Sequence, residues 1–158
     1  MHPAIRIAYG YDQQTSAYTG EVHAYLDQLA SVENKPVYTL PANATWTAPP
    51  PDKLPDFCRL EYQEGAWQTA TDRKALGKEI DRRRAEADAQ VNVLDDTVLI
   101  LTDDAQADPK DEALQAELKQ AKAEASAWKR YRLALAKMTA GINDLDVSAM
   151  VWPENPTV

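Results

Sequence analysis

The strongest constraint on this chain is a row of apolar positions: Leu76, Ile80, Arg83, Ala87, Val91, Leu94, Val98 and Leu101 follow one another at steps of 3 or 4. Apart from Arg83, such a row forms a continuous stripe along one face of an α-helix and is incompatible with a strand's alternation. Thr97–Thr102 taken alone, rich in β-branched residues, would suit a strand. The unbroken stripe favours a helix that starts near Thr71-Asp72. A second stripe runs through Leu114, Leu118, Ala121, Ala125, Trp128, Arg132 and Leu135. Asp108 is expected to cap this second helix, with Pro109 at its first position and Asp111 and Glu112 complementing the positive end of the dipole. Gly141, shortly after Lys137, predicts a left-handed C-terminal cap. With a linker near Asp103–Asp108, residues 71–141 read as an αα-hairpin or coiled-coil arm that sets oligomeric state. Leu76, Ile80, Val91, Leu94, Leu114, Leu118 and Trp128 are its structural residues. Each stripe needs an apolar partner: the other helix, a second copy of the chain, or both.

The chain before residue 71 has a different character. Seven of the ten prolines lie within the first 55 residues, and nine of the twelve aromatics precede residue 68. Prolines and aromatics with few charges suit short strands and turns. Strands are expected at Ala4–Tyr9, Glu21–Leu26, Val37–Leu40 and Ala44–Thr47, with turns around Gly10–Asp12 and Thr19-Gly20. Pro49-Pro50-Pro51 must be extended. Phe57–Tyr62 and Trp67–Thr69, joined by Glu64-Gly65, predict a hairpin. The expected fold is therefore α+β: a small β-rich partner-binding domain over residues 1–70, the helical region over 71–141, and a short C-terminal tail over 142–158.

Composition narrows the function. A chain of 158 residues buries enough surface to fold without a disulfide or a metal. Cys58 is the lone cysteine, and with His2 and His23 it falls short of a structural zinc set. The net charge of −8 argues against nucleic acid as a partner. No aliphatic run exceeds Val98–Leu101, so no membrane span is expected, and the first residues lack the basic and apolar regions of a signal peptide. Arg82-Arg83-Arg84 is a basic cluster, but Glu79, Asp81, Glu86 and Asp88 stand within helical pairing distance, which reads as a solvated face. The acidic pairs Asp95-Asp96, Asp103-Asp104 and Asp144/Asp146 lack the defined separation of glycosidase carboxylates and the glycine and terminal glutamate of a calcium loop. Neither a phosphate loop, nor a dinucleotide fingerprint, nor a nucleophile elbow is present. The expectation is a protein that is not an enzyme, with no cofactor and no metal.

Two segments near the C-terminus carry a resemblance. Residues 128–135 read WKRYRLAL, and Trp152-Pro153-Glu154-Asn155-Pro156 closes the chain as W-P-x-x-P. The front contributes Tyr18-Thr19-Gly20-Glu21, Lys35-Pro36-Val37-Tyr38, Leu40-Pro41-Ala42-Asn43-Ala44-Thr45, Pro49-Pro50-Pro51, and Trp67 ahead of Asp72-Arg73-Lys74. Together these resemble the bacteriophage tail fibre assembly proteins, small chaperones encoded beside tail fibre genes. The stretch from Val91 to Gln106 departs from any motif of that family. The resemblance implies a helper for the folding, trimerisation and assembly of a tail fibre of a phage or phage-tail-like particle. It would bind near the C-terminal tip of the trimeric fibre, act in the bacterial host cytoplasm or be retained on the particle, and form a homodimer or other homo-oligomer through its helices. A second reading is a structural tip subunit that remains on the particle and contributes to host polysaccharide binding.

Within that frame Tyr11, Tyr18, Tyr25, Tyr38 and Trp46 are the candidate partner-binding residues, since aromatic side chains bury large area at modest entropic cost. The competing role for each is core of a small sheet domain. Tyr11 and Tyr18, flanked by polar residues, are expected in a loop and exposed. Trp128 and Arg132 are expected to pack against the other helix or complete an ion pair, and Trp152 to anchor the tail.

Overall fold

The structure is a computed structural model and describes residues 2–32 and 35–156. The chain divides into two compact units between Asp72 and Arg73, the first built of strands and the second of two helices.

In the first unit β1 (Ile5–Tyr11), β2 (Tyr18–Leu26), β3 (Tyr38–Thr39) and β4 (Ala44–Thr45) form an antiparallel sheet in the order β3-β2-β1-β4. β5 (Cys58–Gln63) and β6 (Ala66–Thr71) form a separate antiparallel hairpin. The pleat sends alternate side chains to opposite faces. Ala8, Ala24 and Ala44 point to one face and form its buried centre, over which Val22, Tyr38 and Trp46 close. Small residues here let the aromatic rings lie directly on the backbone.

The turn expected around Gly10–Asp12 begins only at Asp12, and the one expected at Thr19-Gly20 is strand instead. β1 runs through Gly10 to Tyr11, and β2 already begins at Tyr18 and spans nine residues. The reversal sits between them. Asp12 Oδ1 accepts from the Gln14 and Thr15 amides at 3.0 and 2.7 Å, and Asp12 and Ala17 close the loop. Those local bonds hold the Asp12 carboxyl below its ordinary pKa, the Thr15 amide contributing most. Gly20 is not a turn residue but half of a bulge. It faces Gly10, the register shifts at Tyr11, and its φ is +117°. A Cβ on Gly10 would meet Thr19 Oγ1 at 2.7 Å, so this pair of glycines is what lets the bulge close. The Glu64-Gly65 hairpin turn lies where expected, both residues having positive φ (51° and 84°) as a type I′ turn requires.

The second unit contains α1 (Arg73–Ala107) and α2 (Glu112–Ala140). The helices run antiparallel: Asp88 pairs with Arg132, Asp95 with Lys129, and the Ala105 carbonyl with Gln115, so positions climb on one helix as they fall on the other. Both apolar stripes meet at this contact, with Leu76, Ile80, Ala87 and Val91 of α1 and Leu118, Ala121, Ala125, Trp128 and Leu135 of α2 buried. The expected linker at Asp103–Asp108 is mostly helix. Leu101 and Ala105 pack against Leu118 and Ala121, with Val98 and Leu114 alongside. Burying a leucine contributes about 1.5–3 kcal/mol, more than the roughly 0.3–1 kcal/mol cost of Asp103 and Asp104 at the negative end of the dipole. The cap is consequently Asp111 rather than Asp108; it accepts from the Ala113 and Leu114 amides at 2.9 and 3.1 Å. Gly141 ends α2 without the left-handed turn, at φ −97°, its amide donating to the Lys137 carbonyl. No helix among the described residues is long and apolar enough to cross a membrane.

Candidate functional site

The five candidate aromatics of the first unit separate into three environments. Tyr38 and Trp46 meet edge to face at 6.5 Å over the alanine floor, and Tyr38 donates to the Pro3 carbonyl at 2.9 Å. The Arg6 guanidinium lies 4.4 Å from the Trp46 ring centre. This pair therefore closes the core while keeping one exposed side.

Tyr11 and Tyr18 depart from the expectation of a polar, exposed loop. Both are half-buried in strands, because their rings meet the β5–β6 hairpin. Tyr11 stacks on Tyr62 at 5.2 Å, Tyr62 touches Trp67 at 5.0 Å, and Trp67 meets Tyr18 edge-on at 5.3 Å. Polar anchors fix this cluster: Thr45 Oγ1 donates to the Tyr62 hydroxyl at 2.9 Å, and Trp67 Nε1 donates to the Thr47 carbonyl at 2.8 Å. Burial pushes the Tyr18 phenol above its ordinary pKa, with Glu21 adding to the shift. The cluster joins the hairpin to the four-stranded sheet.

Tyr25 alone stands fully outward, 61% exposed. Its cross-strand partner is Ile5, and Ile7 faces His23 one step along, so these side chains share the face opposite the alanines. Ile5 and Ile7 are 41% and 40% exposed. The strands β1 and β2 thus carry an open sheet face bearing two isoleucines and a tyrosine. The alternation of Ile5, Ile7 and Tyr9 signals that face in the sequence, but emphasis on aromatic residues passes over the isoleucines.

In the helical unit the structural residues fall where the stripes place them. Leu76, Ile80, Val91, Leu118 and Trp128 are buried, while Leu94 and Leu114 are half-buried at the margin. Trp128 contacts Tyr131 edge-on at 5.7 Å. Arg83, the misfit of the first stripe, has a physical role: its guanidinium sits 4.0 Å from the Trp152 ring centre, so the stripe is closed by a cation–π contact with the tail. Trp152 is thereby held to α1, and Pro153–Pro156 line a shallow groove with Ala127 and Tyr131 of α2. Glu79 accepts two hydrogen bonds from Arg82 and one from Arg83, each at 2.8 Å, and these bonds, those of Arg82 first, lower its pKa to about 2.

Two carboxylates of the acidic pairs have local partners. Asp95 bonds Lys129 across the hairpin at 2.7 Å, and Asp146 caps a turn through the Ser148 amide and hydroxyl. Among the described residues, no group of three or more His, Cys, Asp or Glu side chains is placed to hold a metal ion. No family model, no curated protein and no solved structure matches the chain.

Proposed function

We propose that this chain is a chaperone for the folding, trimerisation and assembly of a phage or phage-tail-like tail fibre, binding near the fibre's C-terminal tip. The observation that carries the reading is the open sheet face of Ile5, Ile7 and Tyr25, large apolar side chains left outside a domain whose own centre is alanine. Fibres of intertwined strands fold through non-local pairings and expose hydrophobic surface while they do so. A small rigid sheet with an apolar face suits transient cover of such a surface. The WKRYRLAL and W-P-x-x-P segments that carry the resemblance would serve indirectly, because Trp128 is buried between the helices and Trp152 clasps Arg83.

The helical unit would act as a coiled-coil arm that pairs two copies. Val93 and Ile100 stand seven positions apart on α1, both exposed, on the side away from the packed stripe. Pairing there would present two sheet units to one fibre.

Co-expression with the C-terminal fragment of the fibre protein encoded beside this chain tests the proposal. Soluble fibre trimer that forms only when the chain is present supports it. Trimer that forms equally well alone defeats it, and persistence of the chain on purified particles would then favour the structural tip subunit that binds host polysaccharide. Sedimentation of the purified chain tests the arm: a dimer that dissociates in Val93→Glu is expected.

A further inference from the structure

The backbone of β1 holds a second feature, distinct from its open face. Leu26 N–H donates to the Ala4 carbonyl at 3.0 Å, so the even-numbered residues of β1 direct their amides and carbonyls toward β2. The Tyr11 amide donates the other way, to the Asn43 carbonyl at 2.8 Å, and Tyr9 pairs with Thr45 of β4. Ile5 and Ile7 share that outward direction. β4, however, pairs only with Tyr9 and Gly10. Among the described residues no strand and no backbone hydrogen bond meets Ile5 or Ile7 from that side. Two amides and two carbonyls are thus left in a row, spaced for a ladder, beside exposed isoleucine side chains.

The corresponding stretch of β2 is guarded. By the same alternation Glu21 and His23 point away from β1, and β3 reaches only Tyr25 and Leu26. Exposed Glu21 and His23 side chains blunt that edge in the way sheet proteins discourage strand addition. On the β1 edge the one exposed charge is Arg6, which stands between the two isoleucines and whose guanidinium rests on Trp46.

We propose that the free edge of β1 at Ile5–Ile7 receives one extended strand of a different chain, antiparallel, with apolar side chains opposite Ile5 and Ile7 and an acidic side chain opposite Arg6. The main-chain ladder supplies the binding, and the alternate side chains supply the selection. Arg6 sets the charge of the partner. It is exposed, rests on Trp46, and has no carboxylate within ion-pair distance among the described residues. It lies between two hydrogen-bonded positions, where facing side chains come closest and opposite charges gain most.

A second copy of this chain is a poor occupant in each two-fold register. Keeping Ile5 opposite Ile7 sets Arg6 against Arg6, a like-charge pair at the closest spacing of the ladder. Centring on Ile7 requires Tyr9, which β4 already holds. Centring on Ile5 brings Ile7 opposite Pro3, which has no amide to donate. The edge therefore selects a foreign strand. This inference stands on backbone direction and does not depend on the partner being a tail fibre.

The test is amide hydrogen exchange by NMR on the full chain with three synthetic peptides. The first has a central Val-Asp-Val, the second Val-Lys-Val, and the third is the first with both valines N-methylated. The acidic peptide is expected to slow exchange at the Ile5 and Ile7 amides by about tenfold or more at saturation, while the N-methylated peptide leaves them unchanged. Arg6→Glu should transfer the preference to the lysine peptide. Protection of these two amides before any peptide is added overturns the proposal, as does an acidic peptide that gives none. Equal protection by the lysine peptide or the N-methylated peptide also overturns it. A homodimer that itself protects Ile5 and Ile7 overturns it in favour of a second copy. Ile7→Pro removes one outward donor while sparing the β1–β2 ladder, and should abolish protection at Ile5. A fibre that trimerises without the chain leaves every arm of this experiment standing.

Discussion

The two units solve burial in opposite ways. The helical unit hides large side chains, with Leu76, Ile80 and Leu135 the largest that are fully buried in the described chain. The sheet unit builds its floor from Ala8, Ala24 and Ala44 and closes it with the half-exposed rings of Tyr38 and Trp46. Paired helices are held apart by their side chains, so the contact between them must be filled. A sheet with an alanine floor can let rings lie close to the backbone, which frees its other large apolar residues for the outer face. Ile5, Ile7 and Tyr25 are outside for that reason.

The largest expected effect lies in the helical unit. Leu135→Ala should lower stability by about 2–5 kcal/mol, read as a lower melting temperature in the helical circular dichroism signal. A loss under about 1 kcal/mol would mean that this contact collapses to fill the gap, and the contrast between the units would weaken. In the sheet unit the damaging change is in the other direction. Ala24→Leu should cost about 1–3 kcal/mol by lifting Trp46 from the floor, with a shift in its fluorescence. If Ala24→Leu is silent, the floor is not tightly covered, and the reason given for the displaced isoleucines fails.

Acid should separate the units further. Arg82 and Arg83 hold Glu79 at about 2, against an ordinary 4.5. A carboxyl whose pKa is lowered on folding stabilises the fold above its unfolded value, and that contribution is lost as pH falls from about 4.5 toward 2. Glu79→Gln should therefore flatten the pH dependence of the helical melting temperature across that window. The effect is modest and should shrink in salt, because Arg82 is largely exposed. An unchanged slope in Glu79→Gln would assign the acid sensitivity to other carboxylates.

The helices were the most legible part of the sequence, since a long stripe at steps of 3 and 4 outweighs the strand-like composition of Thr97–Thr102 within it. Their ends were less so. Asp108-Pro109 has good capping chemistry, yet burial of Leu101 and Ala105 carries α1 on to Ala107 and leaves the cap to Asp111. Local signals lost to tertiary packing. In the sheet, Thr19-Gly20 looks like a turn because glycine signals both turns and bulges, and only the partner strand distinguishes them. The candidate surface was half legible. Tyr25, one of the candidates, stands outward, but Tyr11 and Tyr18, the two expected to be exposed, are drawn inward by Tyr62 and Trp67, which lie more than forty residues away in sequence. The free edge of β1 was beyond reach, because it depends on where β4 stops.

The smallest expected effect bears on whether the comparison holds at all. Glu64 occupies a left-handed position, φ 51°, at the first central residue of the β5–β6 turn. That conformation crowds the side chain of an ordinary L-residue, and asparagine tolerates it better through local hydrogen bonding. Glu64→Asn should thus stabilise the hairpin by about 0.5 kcal/mol, within the few tenths to one typical of relieved backbone strain. Because the hairpin delivers Tyr62 and Trp67 to Tyr11 and Tyr18, the gain should appear as slower amide exchange across β1 and β2 and as a higher melting temperature in the near-ultraviolet signal. The helical signal should not move, the two helices forming a compact unit of their own. An equal rise in both signals would mean that the units unfold together, and the sheet could then no longer be treated as a domain that sets its own stability and its own exposed face.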